Sequence, residues 1–196
     1  MKTTIARLAA ATLLTGLAIA GVSSCKSKTT IQKETGAKEI TVPFSTREYQ
    51  SDKEHFRAKG SGNSPDMTTA KKIALQNAKS EMAGLITTTM KKVTEQYTNQ
   101  RQVGNNQEFS NKFEEMAREV TNQQLVDVRI MDEKLFKETS NTFTYWVSIE
   151  ANKQTVMNGI DRGIGQNQKL QQDYDKKKCE EIFNSEMEKL AKERGN

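Results

Sequence analysis

The feature that most constrains this chain is one long apolar stripe. Met67, Ala70, Ile73, Ala74, Ala78, Met82, Leu85, Ile86, Met90, Val93 and Tyr97 recur in steps of three and four, which places them on one face of a single long helix. Ser64-Pro65-Asp66 precedes the run. Proline suits the first helical turn, and Ser64 or Asp66 supplies an oxygen for the orphan backbone N–H groups. The first half of the stripe is rich in alanine and can lie close against a sheet; Met, Leu and Ile in the second half fill a wider gap.

The sheet that this helix needs is legible on both sides of it. Phe143, Tyr145, Val147, Ile149 and Ala151 alternate with polar residues, and Val126, Val128 and Ile130 do the same before a hairpin near Thr139-Ser140-Asn141. Period two is the signature of a strand with one buried face. Upstream, Phe56, Ala58 and Gly60 alternate in a strand that runs into a glycine turn, and Ile40, Val42 and Phe44 suggest a short first strand, which Pro43 pushes to a sheet edge. A second helix carries Phe109, Phe113, Met116, Ala117 and Val120 on one face.

After Asn152 the pattern is helical and polar. Val156, Met157, Ile160 and Ile164 form an apolar face that thins through the Gln-rich residues 165–172 and returns at Cys179, Ile182, Phe183, Met187 and Leu190. Gly159, Gly163 and Gly165 weaken the helix by about 1 kcal/mol each relative to alanine, so a bend or break is expected there. The expected order is β-β-α-α-β-β-α, an α+β fold with a small antiparallel sheet and long amphipathic helices packed on one face.

The N-terminal 24 residues belong to a different kind of object. Lys2 and Arg7 give a basic head, Leu8 to Ala20 an apolar body, and Gly21-Val22-Ser23-Ser24 a small-residue tail, the three parts of a secretory signal. The apolar body falls short of the about 20 residues that a spanning helix needs. Val22-Ser23-Ser24-Cys25 resembles a lipobox, in which cleavage follows Ser24 and Cys25 is acylated and becomes the first residue of the mature chain. The expected divisions are a signal over 1–24, a polar tether over 25–38, an α+β domain over 39–158 and a C-terminal helical extension over 159–196. Lys26 follows the cysteine where aspartate would retain a lipoprotein in the inner membrane, so sorting to the outer membrane is expected. No acidic surface-export tag follows the cysteine either, which favours the periplasmic face.

Removing 24 of the 196 residues leaves 172 and takes the net charge from +5 to +3, because Lys2 and Arg7 go with them. A charge of +3 with no concentrated basic stripe gives no footprint for nucleic acid. The mature part is only about 30% apolar, low for a globular domain but above the level of a disordered one. With Cys25 acylated, Cys179 is the only thiol, and no intrachain disulfide is possible.

Phe56-Arg57-Ala58-Lys59-Gly60-Ser61-Gly62, the alanines at 70, 74 and 78, Leu125-Val126-Asp127-Val128 and Tyr145-Trp146-Val147-Ser148-Ile149-Glu150 together resemble the LPP-twenty lipoprotein family. They are also similar to the N-terminal domain of the flagellar-ring T protein. The resemblance covers roughly residues 39–158. It implies a small outer-membrane lipoprotein with a helix-on-sheet domain and no established enzymatic activity. Ser51-Asp52-Lys53-Glu54 and the long C-terminal helix stand outside the shared pattern.

Residues with catalytic or ligand chemistry are few. Gly60-Ser61-Gly62-Asn63-Ser64 before a helix could cradle a phosphate, but it lacks the Lys-Ser/Thr ending of a nucleotide loop, and a tight strand-to-helix turn explains it better. Asp52, Glu54 and His55 include the only histidine; a zinc site wants three or four protein ligands close together, so a solvated loop is the better reading. A hydrolase would need a Gly-x-Ser-x-Gly elbow, which is absent. Tyr145 and Trp146 point to opposite strand faces, one to the core and one partly exposed. The sequence thus predicts neither enzyme, cofactor nor metal. It predicts an anchored interaction module that holds an envelope protein, or itself, through the C-terminal stripe. The alternative is a small-ligand carrier with its pocket between the long helix and the sheet.

Overall fold

In the computed structural model, which describes residues 37–38, 40–101, 105–125 and 128–194, the sheet is built on its last strand. Strands β1 (His55–Ser64), β2 (Arg129–Lys137) and β3 (Phe143–Asn152) pair antiparallel in the order β1-β3-β2. Ala58 faces Ile149, Gly60 faces Val147 and Gly62 faces Tyr145. All six are buried, as the period-two pattern requires. The hairpin turns at Asn141, in the left-handed region with φ 60°, a conformation that asparagine tolerates better than most residues. A register shift between Ile130 and Asp132 marks a bulge in β2.

Helix α1 (Met67–Gln100) crosses β1 and β3. Asp66 caps it by accepting from Thr69 N–H at 2.7 Å. Its sheet-facing alanines do what the stripe predicted. A Cβ added at Gly60 would lie 2.4 Å from the Ala74 carbonyl oxygen and from the Ala78 nitrogen, and one at Gly62 would lie 2.4 Å from the Ala70 carbonyl oxygen. Helix and strand backbones are therefore in contact. Residues 60–64, weighed above as a phosphate loop or a turn, are strand, and their glycines serve packing. Met67 and Ile73, included in the stripe, are exposed at its margin, whereas Thr89, Thr94 and Thr98 join the buried face.

The second half of α1 carries the remaining helices: α2 (Asn106–Gln124), α3 (Lys153–Gly165), α4 (Gln168–Asp173) and α5 (Lys176–Arg194). Tyr97 stacks on Phe109 with ring centroids 5.4 Å apart, and Phe109 on Phe113 at 5.8 Å. The expected break falls after Gly165; Gly163 stays helical, and its lack of a side chain serves packing, since a Cβ there would sit 2.6 Å from Met116 Sδ on α2.

Two expectations are corrected. No strand forms at Ile40, Val42 and Phe44. The chain turns at Pro43-Phe44, with Phe44 at φ 58°, and makes a single 3-10 turn at Arg47–Tyr49. Ile40 and Val42 are exposed while Phe44 is buried. The C-terminal stripe is also not free. Cys179, Ile182, Phe183, Met187 and Leu190 are all buried, Phe183 lies 6.2 Å from the Phe56 ring of β1, and Thr41–Asn196 forms one compact unit. Residues 159–194 thus complete the core rather than extend from it, and neither self-association nor a partner can use the stripe without opening the fold.

The Tyr97 hydroxyl fixes this docking. It donates to the Asp173 carbonyl at 2.7 Å and accepts from Asp175 N–H at 2.6 Å and from Arg101 Nη1 at 3.2 Å. Burial pushes the Cys179 thiol up to about 12, so it is a poor nucleophile.

Gly60→Ala forces backbone apart and is expected to cost about 3 kcal/mol, the upper end of ordinary overpacking, read from urea unfolding. Burying the five apolar groups of α5 contributes about 1.5–3 kcal/mol each, comparable together to a whole net stability of about 5–15 kcal/mol. A chain ending at Gly165 should accordingly show the circular dichroism of an unfolded domain. In the intact protein, Cys179 should resist iodoacetamide until denaturant is added, and no Cys179-linked dimer should form.

Candidate functional site

The face of the sheet turned away from α1 carries a cluster of charged and polar side chains. Alternation places Arg57, Lys59 and Ser61 of β1 there, Trp146, Ser148 and Glu150 of β3, and Asp132, Lys134 and Phe136 of β2. Glu150 sits on the central strand with Arg57 opposite it on one side and Arg129 on the other. Arg57 Nε reaches Glu150 Oε2 at 3.2 Å and Arg129 Nη1 reaches Oε1 at 3.2 Å. A carboxylate that is only 8% exposed is tolerable because both of its oxygens meet a guanidinium.

Residues 41–54 lie over this face as a strap. Arg57 Nη1 donates to the Gln50 carbonyl at 2.9 Å and to Asp52 Oδ2 at 2.7 Å. Ser51 Oγ accepts from Arg57 N–H at 2.9 Å and donates to the Arg57 carbonyl at 3.2 Å. Tyr49 donates to Asp132 Oδ2 at 2.9 Å, Lys59 Nζ donates to the Phe44 carbonyl at 3.3 Å, and Lys134 lies 5.3 Å from the Phe44 ring centroid. Phe44 and Tyr49 pack ring to ring at 4.8 Å. Ser148, on the face expected to be open, is fully buried, with Oγ 3.7 Å from Met131 Sδ.

The residues singled out in the sequence take structural places here. Asp52 Oδ1 accepts from Glu54 and His55 N–H at 2.7 and 2.8 Å, closing the turn into β1. His55 Nδ1 stands 3.6 Å from the same carboxylate. Burial works to raise the Asp52 pKa, but those two N–H groups and Arg57 prevail and hold the carboxyl below its ordinary value. Among the described residues no group of three or more metal-ligating side chains comes together. Tyr145 is buried on the helix side beneath Lys71 Nζ, 5.4 Å from its ring centroid, and Trp146 is half-buried on the strap side. At Gly60 and Gly62, where a pocket between the long helix and the sheet was expected, the two backbones are in contact and leave no room for a ligand. A cleft of about 530 Å³ opens instead beside the Glu150 row, lined by His55, Arg129, Glu150, Ala151, Asn152, Thr155 and Arg162. Cys25 and Ser24 lie outside the described residues.

This cluster went unread in the sequence, although its signal is there. Arg57 and Glu150 stand on the polar faces of strands already recognised, and opposite charges at cross-strand positions are the mark of a pair. Comparison with known proteins gives no match to a family model, a curated protein or a solved structure.

The arrangement is a clasp. Arg57→Met should free the strap at a cost of about 3 kcal/mol, the scale of breaking a buried ion pair, and should make Arg47 and Lys53 early sites of tryptic cleavage. Acid should act on the wild type in the same direction. The folded pKa of Asp52 lies below the unfolded one, so its stabilisation is complete above the ordinary value of 3.8 and is lost as pH falls through the folded value. Protection of the strap amides from hydrogen exchange should decline in that window before the β3 amides do.

Proposed function

We propose that the protein is a lipid-anchored lipoprotein of the outer membrane, of the LPP-twenty type, whose domain sits on the periplasmic face and acts by binding an envelope partner rather than by catalysis. The observation that carries this reading is Val22-Ser23-Ser24-Cys25 behind a basic head and a short apolar body. Two or more acyl chains, at about 0.8 kcal/mol per buried methylene, hold a protein stably at a bilayer. Among the described residues no helix is long and apolar enough to cross a membrane. The 13 tether residues 26–38 would let the domain stand off by at most roughly 45 Å when fully extended.

A binding role is supported by how the reactive groups are spent. The one histidine stands against Asp52 within a turn, and the Cys179 thiol is buried and stays protonated. Glu150, the most enclosed acid of the clasp, has both oxygens held by arginine. No member of this set is presented as a nucleophile or base, whereas the folded surface carries apolar side chains that a partner can cover.

Replacing Cys25 by Ser should shift the protein from the membrane fraction to soluble periplasm or leave the signal uncleaved, and should abolish incorporation of a labelled fatty acid. Label persisting in the Cys25→Ser chain would refute the anchor. An affinity capture of the lipidated protein from its own envelope, compared with an Arg57→Met strap variant, identifies the partner and shows whether the clasped face takes part.

A further inference from the structure

The two edges of the sheet are treated differently by the rest of the chain. On β1 several outward backbone groups are taken: Ser51 holds both the N–H and the carbonyl of Arg57, Asp52 N–H donates to the His55 carbonyl at 3.0 Å, and Asn77 Nδ2 donates to the Ser61 carbonyl at 2.8 Å. Strand β2 is the other edge, and three of the large apolar side chains that the domain leaves exposed, Ile130, Leu135 and Phe136, are on it. An edge of this kind is a template for another strand.

Which backbone groups are on offer follows from the hairpin. Glu138 N–H donates to the Thr142 carbonyl at 2.9 Å, which makes 138 and 142 a hydrogen-bonded pair. Bonded and non-bonded pairs alternate along an antiparallel ladder. With Lys137 opposite Phe143, Leu135 opposite Tyr145 and Glu133 opposite Val147, it is Lys137, Leu135 and Glu133 that turn N–H and carbonyl to the outer edge. Glu133 N–H is held by Asp132 Oδ1 at 2.8 Å; among the described residues no partner occupies the outward groups of Leu135 and Lys137.

We infer that β2 pairs with β2 of a second copy of this chain, antiparallel about a two-fold axis at Leu135, to make a six-stranded sheet. The two copies of the edge are complementary. In this register Leu135 meets Leu135 of the other copy on the axis, and their outward groups exchange two backbone hydrogen bonds. Each Lys137 N–H donates to the other copy's Glu133 carbonyl, which leaves the Asp132 contact undisturbed. On the helix side each Glu133 carboxylate, which Lys71 reaches at Oε1 at 2.7 Å and which also meets Tyr145, faces the other copy's Lys137. On the strap side each Phe136 faces the other copy's Lys134, an ammonium beside an aromatic ring. Sliding the strands by one bonded pair in one direction sets Lys134 against Lys134. Sliding them in the other sets Leu135 against Lys137 and draws on Glu138, which already accepts from Asn63 and Thr144. Lysines on an edge usually repel a second strand; here the two that would do so are matched. The contact is one strand wide, so association is reversible and concentration-dependent.

Charge reversal tests the register. Lys137→Glu sets an acid against the other copy's Glu133 in each half of the pair. Lys71→Glu/Glu133→Lys sets a lysine against the other copy's Lys137 in each half, while keeping the bridge from helix to strand inside each chain. Sedimentation velocity of the full chain should show wild type moving from monomer to dimer with concentration. Each variant alone should dimerise roughly tenfold more weakly or less, given two reversed cross-strand pairs, and an equal mixture of the two should dimerise again, because each lysine then faces an acid. Circular dichroism and melting identify any variant that has lost its fold; for such a variant, Leu135→Lys replaces it as the test of dimer loss. A wild type that stays monomeric at every concentration overturns the proposal, as does a folded Lys137→Glu chain that dimerises like wild type or a mixture of folded variants that stays monomeric.

Discussion

Where α1 crosses β1, the two backbones touch. With the position of a Cβ at Gly60 only 2.4 Å from the Ala74 carbonyl oxygen and the Ala78 nitrogen, the helix cannot rise, rotate or slide by one residue without either collision or a void. Close-packed interiors tolerate neither. Glycine at alternate strand positions therefore matches alanine at every fourth helix position, period two against a step of four, and that match fixes which face of α1 looks at the sheet. Because the helix is continuous, it also fixes the direction in which Met82, Ile86, Met90, Val93 and Tyr97 point. These residues pass beyond the close contact, and the other helices assemble around them.

That dependence explains why the C-terminal segment belongs to the core. An overhanging apolar helix must be covered by something, and the chain supplies α2 and α5, with α3 packed in turn on α2. From sequence, the stripe at Cys179 to Leu190 looks isolated, since a polar and glycine-bearing stretch separates it from the hairpin. In the fold the glycine at 163 is where α3 approaches Met116 of α2, and the polar stretch is the turn that reverses the chain. Periodicity reveals an apolar face but not its owner; the owner is set by the length of α1, whose overhang leaves room for one more helix against Phe56.

The elements with a strong period were legible. The long helix, the last strand and the α+β class follow from spacing alone; the other hairpin strand, read at Val126, Val128 and Ile130, instead runs Arg129–Lys137 with Ile130 exposed. The strap was not legible, because nothing about it is periodic. Ile40, Val42 and Phe44 imitate a strand, but Phe44 adopts φ 58°, a conformation that a bulky side chain takes only when its surroundings hold it there. Those surroundings are the Tyr49 ring, Lys134 and the Lys59 bond to the Phe44 carbonyl, each far away in sequence or on another element. The Ser148 face looked solvated for the same reason: polar residues on one side of a strand read as exposed unless the segment that covers them can be seen.

A chain this poor in apolar residues closes its core partly with threonine. Thr89, Thr94, Thr98 and Thr121 are buried, and each hydroxyl donates to the carbonyl four residues earlier, at 2.7–3.0 Å. The hydroxyl is satisfied within its own helix, so the side chain presents a methyl group to its neighbours and buries no unpaired donor. In this way α1 and α2 gain apolar surface that a count of hydrophobic residues misses. The polar surplus is thereby free for the outside and for the clasp, where Arg57, Asp52 and Glu150 hold the strap. The clasp and the backbone contact between α1 and β1 thus hold β1 from its two opposite faces.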